Sequence, residues 1–250
     1  MSDAVYSARW KGPTLIEKGK AQTVSLTIEK ANAAPSISAA TCTIYKPTGE
    51  TLKDAATATI SSGTVSLALV ASDTSSESLG AGWLIKFDCT IGSNVYTFYN
   101  DGCLSLGRLY PPVGHSDLVG RHSDIANLLA SGVSSLQPYI EDAWADITNR
   151  AYSESVPFWR LRTSSAFRAP MFSKCFALIF RDYATLMSAQ DRYMQLADYY
   201  EHLYEKDYQS LRSRLDNDED NTVSTRQQPV SSVIMLSSRN LRGSIYQTEN

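Results

Sequence analysis

The sequence predicts an α+β chain. It reads as an N-terminal β-sandwich of Ig-like type (residues 1–110), an α-helical bundle (115–215) and an extended C-terminal tail (216–250). Three observations predict this. Up to about Arg108, apolar and polar residues alternate with the period of two that marks half-buried strands. Past a segment interrupted by proline and glycine, the period becomes that of an amphipathic helix. After Leu215 neither period continues.

The strands come first. "TVSLTIEK", Thr23–Lys30, alternates Val24, Leu26 and Ile28 with polar neighbours. "ATCTIYKPTGETLKDA" reads as a strand, a Pro-Thr-Gly-Glu turn and a returning strand. "TATISSGTVSLALV" places Ser-Ser-Gly between two alternating runs, a hairpin. "WLIKFDCTIGSNVYTFYND" repeats that arrangement around Gly92–Asn94. Some seven short strands at close spacing suit a small Ig-like sandwich, although the Cys…Trp…Cys pattern of antibody domains is missing.

"RLYPPVGHSD", Arg108–Asp117, breaks both periods and marks the domain boundary. Ser123, before "DIANLL", reads as the cap of a short helix. In "SSLQPYIEDAWADITNRA", Leu136, Tyr139, Ile140, Ala143, Trp144 and Ile147 share one helix face. "APMFSKCFALIFRDYATLMSA", which carries Phe176 and Ile179, is apolar nearly all round and reads as the buried centre of the bundle. Leu136, Ile140, Trp144, Ile147, Phe176 and Ile179 are therefore the expected helical core. A long amphipathic helix follows from Asp191, with Tyr193, Tyr200, Tyr204 and Tyr208 on its apolar side. Arg212 and Arg214 suit its C-terminal end.

Composition bounds the function. The 250 residues are 43% hydrophobic and 20% charged, which is ordinary globular material with ample core. A net charge of -3 lacks the strongly basic footprint of a nucleic-acid binder. No apolar run reaches the roughly 20 residues needed to span a bilayer. The opening "MSDAVYSARWKG" lacks the profile of a signal peptide, so a cytoplasmic folding site is expected. Cys42, Cys89, Cys103 and Cys175 are widely spaced without a CxxC and read as buried thiols.

Candidate chemistry is sparse. His115 and His122 head two copies of "HSD[LI]", but converging ligands are lacking and capping or structural roles are expected. No GxSxG, HExxH, Walker loop or dinucleotide fingerprint occurs, so neither a catalytic residue nor a cofactor is expected. "WRLRTSSAFR" sets Arg160, Arg162 and Arg168 beside Phe158, Trp159 and Phe167. It is either a contact for an acidic partner or nucleic acid, or a solvated loop between helices. The tyrosine stripe reads as helix packing or subunit interface rather than a base-stacking platform.

Asp216, Asp218 and Asp220 stand at positions 1, 3 and 5 of a calcium loop. Position 6 is Asn221 instead of glycine, and position 12 is Gln227 instead of a bidentate glutamate. The run therefore reads as a solvated helix end leading into the tail. In that tail "SVIMLSS", Ser232–Ser238, is a short apolar strand candidate. Its Val233, Ile234, Met235 and Leu236, with the three arginines above, are the expected partner contacts. Such a segment pairs readily with the sheet edge of another chain.

The helical half resembles the head–tail connector (adaptor) proteins of tailed bacteriophages and gene transfer agents. The resemblance is carried by "DLVGRHSDIANLLASGVSSLQPYIEDAWADITNRA", then "FWRLRTSSAFRAPMFSKCFALIFRDYA", then the Tyr-rich helix closing on "LDNDEDN". The closing acidic run departs from the family's common glycine, and the β half lies outside the resemblance. The resemblance implies a ring, commonly of twelve subunits, docked below a portal protein in the virion after assembly in the host cytoplasm. That ring would extend the DNA channel, pass DNA without sequence-specific binding, and present a surface to the next neck or tail completion protein. Two rival readings follow from the residues. One is a receptor- or carbohydrate-binding virion protein using an exposed aromatic platform such as Trp83 or Tyr96. The other is a hydrolase with an unrecognised polar pocket.

Overall fold

A computed structural model of the chain describes residues 6–10, 12–31, 33–129, 134–186 and 190–210. The fold is mixed α+β, with two sheets followed by several helices. One sheet has four strands in the order β1 (Ser7–Arg9), β3 (Gln22–Glu29), β7 (Thr64–Leu69), β6 (Thr59–Ser61). The other has five, in the order β2 (Thr14–Glu17), β9 (Asn94–Ser105), β8 (Gly80–Ile91), β4 (Ile37–Tyr45), β5 (Thr51–Thr57). A one-turn helix α1, Ala71–Thr74, links β7 to β8. All pairings are antiparallel except β2 with β9, which is parallel.

The alternation read from the sequence puts the expected side chains inside. Val24, Leu26 and Ile28 of β3 lie beside Val65, Leu67 and Leu69 of β7. Cys42 and Ile44 of β4, and Trp83, Ile85, Phe87 and Cys89 of β8, belong to the same buried cluster, so both sheets feed one core. The hairpin at Ser62-Gly63 has φ of +46° and +78°. Left-handed geometry at both residues matches the twist of the strands they join. Among the described residues there are nine strands where seven or so were expected. The additional β1 and β2 are three and four residues long, too short to display a period.

β1 and β2 belong to different sheets, and the chain crosses between them at Gly12-Pro13. Gly12 has φ +89°, and a Cβ there would lie 2.9 Å from Thr148 Oγ1. The Asn100 amide donates to the Gly12 carbonyl at 3.2 Å and to Thr14 Oγ1 at 2.9 Å. This crossover is thus a seam between the sheets and the helices.

The helical half comprises α2 (His115–Arg121), α3 (Gln137–Ser153), α4 (Arg168–Leu186) and α5 (Gln190–Gln209), with 3-10 turns at Ile125–Leu128, Phe158–Arg160 and Ser164–Phe167. Leu136, Ile140, Ile147, Phe176 and Ile179 are buried in one cluster with Phe158, Phe167 and Phe180. Trp144 is a correction: it is half-buried at the rim of that cluster, with its ring edge-on to Phe167 at 5.6 Å. Ser123 is a second correction. Asp124, not Ser123, precedes the 3-10 turn, and no side chain caps it.

The segment joining the two halves is packed. Leu109 and Val113 are buried in the helical cluster, which also takes in Cys103 of β9. The Leu106 N–H donates to the Trp159 carbonyl at 2.8 Å, and the Gly82 N–H to the Tyr152 hydroxyl at 3.3 Å.

Candidate interaction surfaces

The basic segment is a joint more than a patch. Phe158 and Phe167 are buried and Trp159 is half-buried, so the aromatic rings of "WRLRTSSAFR" point inward. Arg168 is committed within the chain: it donates to the Pro112 carbonyl at 2.8 Å and to the Asp117 carboxylate at 2.7 Å. Asp117 in turn accepts the Gly114 N–H at 2.9 Å. The Gly114 bond first and the Arg168 contact second hold its carboxyl below the usual range. Arg162 is half-buried and engaged within the chain. Of the arginines expected to meet a partner, this corrects Arg168 and Arg162 to structural roles and leaves Arg160 partly exposed. The physical reason is that a segment closing a corner between β9 and α4 uses its long side chains to pin the chain on either side.

The first "HSD" copy is the capping copy, through Asp117. In the second, the His122 ring packs edge-on against Phe180 at 5.6 Å. His115 and His202 are exposed, on α2 and α5. Among the described residues, no group of three or more His, Cys, Asp or Glu side chains could hold a metal ion. All four cysteines are buried free thiols. Burial pushes Cys103 and Cys175 up to about 12, Cys42 to about 12 and Cys89 to about 11, so they stay protonated and are poor nucleophiles at neutral pH.

The tyrosine stripe of α5 is spent on packing. Tyr200 lies 5.0 Å from Phe176, Tyr193 6.2 Å from Phe180, and Tyr204 and Tyr208 are buried. The Arg150 guanidinium covers the Tyr208 ring at 4.1 Å and forks onto Glu205 at 2.7 and 2.9 Å. That bond to Arg150 is the first cause holding the Glu205 carboxyl below its ordinary value. Lys174 adds a second tie, to Glu201 at 3.0 Å and Asp146 at 3.5 Å. Ser173 adds a third, to Asp207 at 2.7 Å. Charged side chains thus join α3, α4 and α5 around an aromatic interior. Tyr139 of α3 also hydrogen-bonds Asp182 of α4.

The aromatic platform expected of the β half is not where the sequence reading put it. Trp83 is 1% exposed and belongs to the core, which corrects it as a ligand platform. Tyr96 is half-buried under the Tyr6 ring at 4.7 Å. Tyr99, on the opposite face of β9, is 56% exposed. A polar cleft of about 370 Å³, lined by Arg9, Trp10, Pro13, Gln22 and Arg108 among others, opens at the crossover. Sequence reasoning missed it because its walls come from chain segments far apart in sequence. Asp216, Asp218, Asp220, Val233, Ile234, Met235 and Leu236 all lie outside the described residues.

No family model matches the chain, and no curated protein matches it. Among solved structures, a chimeric titin Z1Z2 functionalized with a KLER exogenous peptide from decorin is similar to it. That match has 10% identity and a TM-score of 0.25, and it covers 42% of this chain and 50% of the other. The chain therefore spans half the length of that structure, at a score that carries no argument about its fold or function.

Proposed function

We propose that this chain is a structural virion protein of the phage neck, a head-to-tail adaptor. In this reading the subunits form a ring of twelve below the portal protein, extend the DNA channel and offer a docking surface to the next neck or tail protein. The single observation that carries it is the interlocking of the three helices bearing the resemblance. α3 holds "QPYIEDAW", α4 holds "FALIFRDYA", and α5 follows with its tyrosines, in the family's order. The residues that stand out in those strings touch each other: Tyr139 bonds Asp182, and Arg181 pairs with Glu201 at 3.4 Å. The helices form the adaptor bundle. The β half is an Ig-like sandwich added to it, a reading supported by strand orders matching A-B-E-D on one sheet and G-F-C on the other. Packaged DNA passes through the ring without sequence-specific binding, which suits a net charge of -3.

Mixing the purified chain with a portal ring at about micromolar concentration and imaging the particles tests this. Added density on the portal's narrow end is expected. Bare portals would overturn the reading.

A further inference from the structure

β9 has an open edge. β2 pairs with it only over Gly102–Ser105, and among the described residues nothing pairs with the Asn94–Asp101 stretch on the side away from β8. Ile91 and Asn94 flank the two-residue turn, so they form a hydrogen-bonded pair. Alternation then turns the backbone groups of Val95, Thr97 and Tyr99 outward, toward the open edge. The bond from the Lys18 N–H to the Ser105 carbonyl fits this parity, since Ser105 faces β2.

This edge differs from the others. β1 and β6 are three residues long and β2 is four. β5 carries Lys53 and Asp54, has Ala55 at φ +41° and breaks register against β4. Short length, charge and irregular register are the usual defences of an exposed edge. The Asn94–Asp101 stretch largely lacks them: its one charge is Asp101 at its end, it contains no Lys, Arg, Glu or Pro, and its register with β8 is unbroken. It is also apolar on both faces. Val95 and Tyr99 are 64% and 56% exposed on the outside, while Tyr96 and Phe98 are half-buried at the flank of the core.

A strand that suits such an edge must itself be apolar on both faces. "SVIMLSS" has this pattern, since an extended Val233–Leu236 segment would put Val233 and Met235 on one face and Ile234 and Leu236 on the other. Its seven residues nearly span the eight of the open stretch, and it carries no charge. The 22 residues between Ser210, where the described chain ends, and Val233 can span up to about 75 Å.

We propose that the open Asn94–Asp101 edge of β9 is the receptor for this chain's own Ser232–Ser238 segment, which adds to the five-stranded sheet as a further strand. The proposal rests on the reading that the tail is a docking element and is independent of what the ring binds.

Hydrogen exchange on the full-length chain, over a range of protein concentrations, tests it. The amides of Val95, Thr97 and Tyr99 exchange about tenfold or more slowly in the wild-type chain than in the double variant Ile234→Asp/Leu236→Asp. Protection that rises with concentration means the segment comes from a neighbouring copy; constant protection means its own. Thr97→Pro is the reciprocal variant. It removes an N–H that β8 does not use and so leaves the sheet folded. It should make trypsin cleavage at Arg239, beside the segment, as fast as in the double variant. Equal exchange in wild type and double variant at every concentration overturns the proposal. So does protection that survives the aspartates, since the edge is then covered by something else, residues 1–5 or a second copy's β9 included. A chain that shows tail-dependent protection yet leaves portals bare overturns the adaptor reading and leaves this one standing.

Discussion

Ser155 ends α3 in the left-handed region, at φ +56°. The Val156 N–H returns to the Ala151 carbonyl at 2.9 Å and the Ser155 N–H to Tyr152 at 3.1 Å. This is the double-bonded helix stop that glycine usually occupies, and a side chain there costs about 1 kcal/mol. Ser155→Gly should therefore stabilise the chain by about 0.5–1 kcal/mol, read as a raised urea midpoint with an unchanged slope. Most residues reasoned as core from their spacing are indeed buried, such as Ile140 and Ile147, because helical period and burial are two views of one face. Trp144 shows the limit of that logic. A residue on the correct face of α3 still sits at the rim, because what covers it is set by where α4 begins.

Among elements, the contact of α3 with α5 turns on Arg150. Its fork onto Glu205 and its cover over Tyr208 join ends of the two helices that sequence leaves 55 residues apart. Both Glu205 and Glu154 are held below their ordinary values, first by their bonds to Arg150. A lowered carboxyl contributes stability above its unfolded value and loses it as pH falls through the folded one. Glu205 is 42% exposed, so solvent screens the pair and its contribution is modest. Arg150→Met should cost about 1 kcal/mol at pH 7, and the gap from wild type should narrow as pH falls through and below the ordinary glutamate range. Melts from neutral to acid pH check it; a gap constant with pH would mean the arginine acts through packing alone. The strands tell a similar story. Period two marked β3, β7 and β8 clearly, whereas β1 and β2 carried no local signal and form because partner strands are waiting for them.

For the whole molecule, the two halves meet through a packed seam at Leu109, Val113, Gly12 and the Leu106–Trp159 bond. The function proposed for this assembly makes the tail, and not the aspartate run, the docking element. Truncation after Gln228 should leave the described fold intact and weaken ring formation or attachment to the portal. Asp218→Asn with Asp220→Asn should leave attachment unchanged, with or without a chelator. Co-sedimentation with portal rings reads both. Abolished attachment in the aspartate variant, with normal attachment of the truncated chain, would restore the calcium reading.

The mixed α+β class, the change from strands to helices near Arg108, and most of the buried faces were legible in the residues alone. These follow from local periodicity, which needs no knowledge of the partner surface. Packing in three dimensions settled which cations are spent internally, as with Arg168 on Pro112 and Asp117, and which aromatics are accessible, with Trp83 inside and Tyr99 outside. It also decided which stretch of edge is left unpaired among the described residues, Asn94–Asp101 of β9. The physical reason is that pairing, capping and exposure are properties of surfaces brought together from distant segments, and a one-dimensional pattern records only which side of its own element each residue is on.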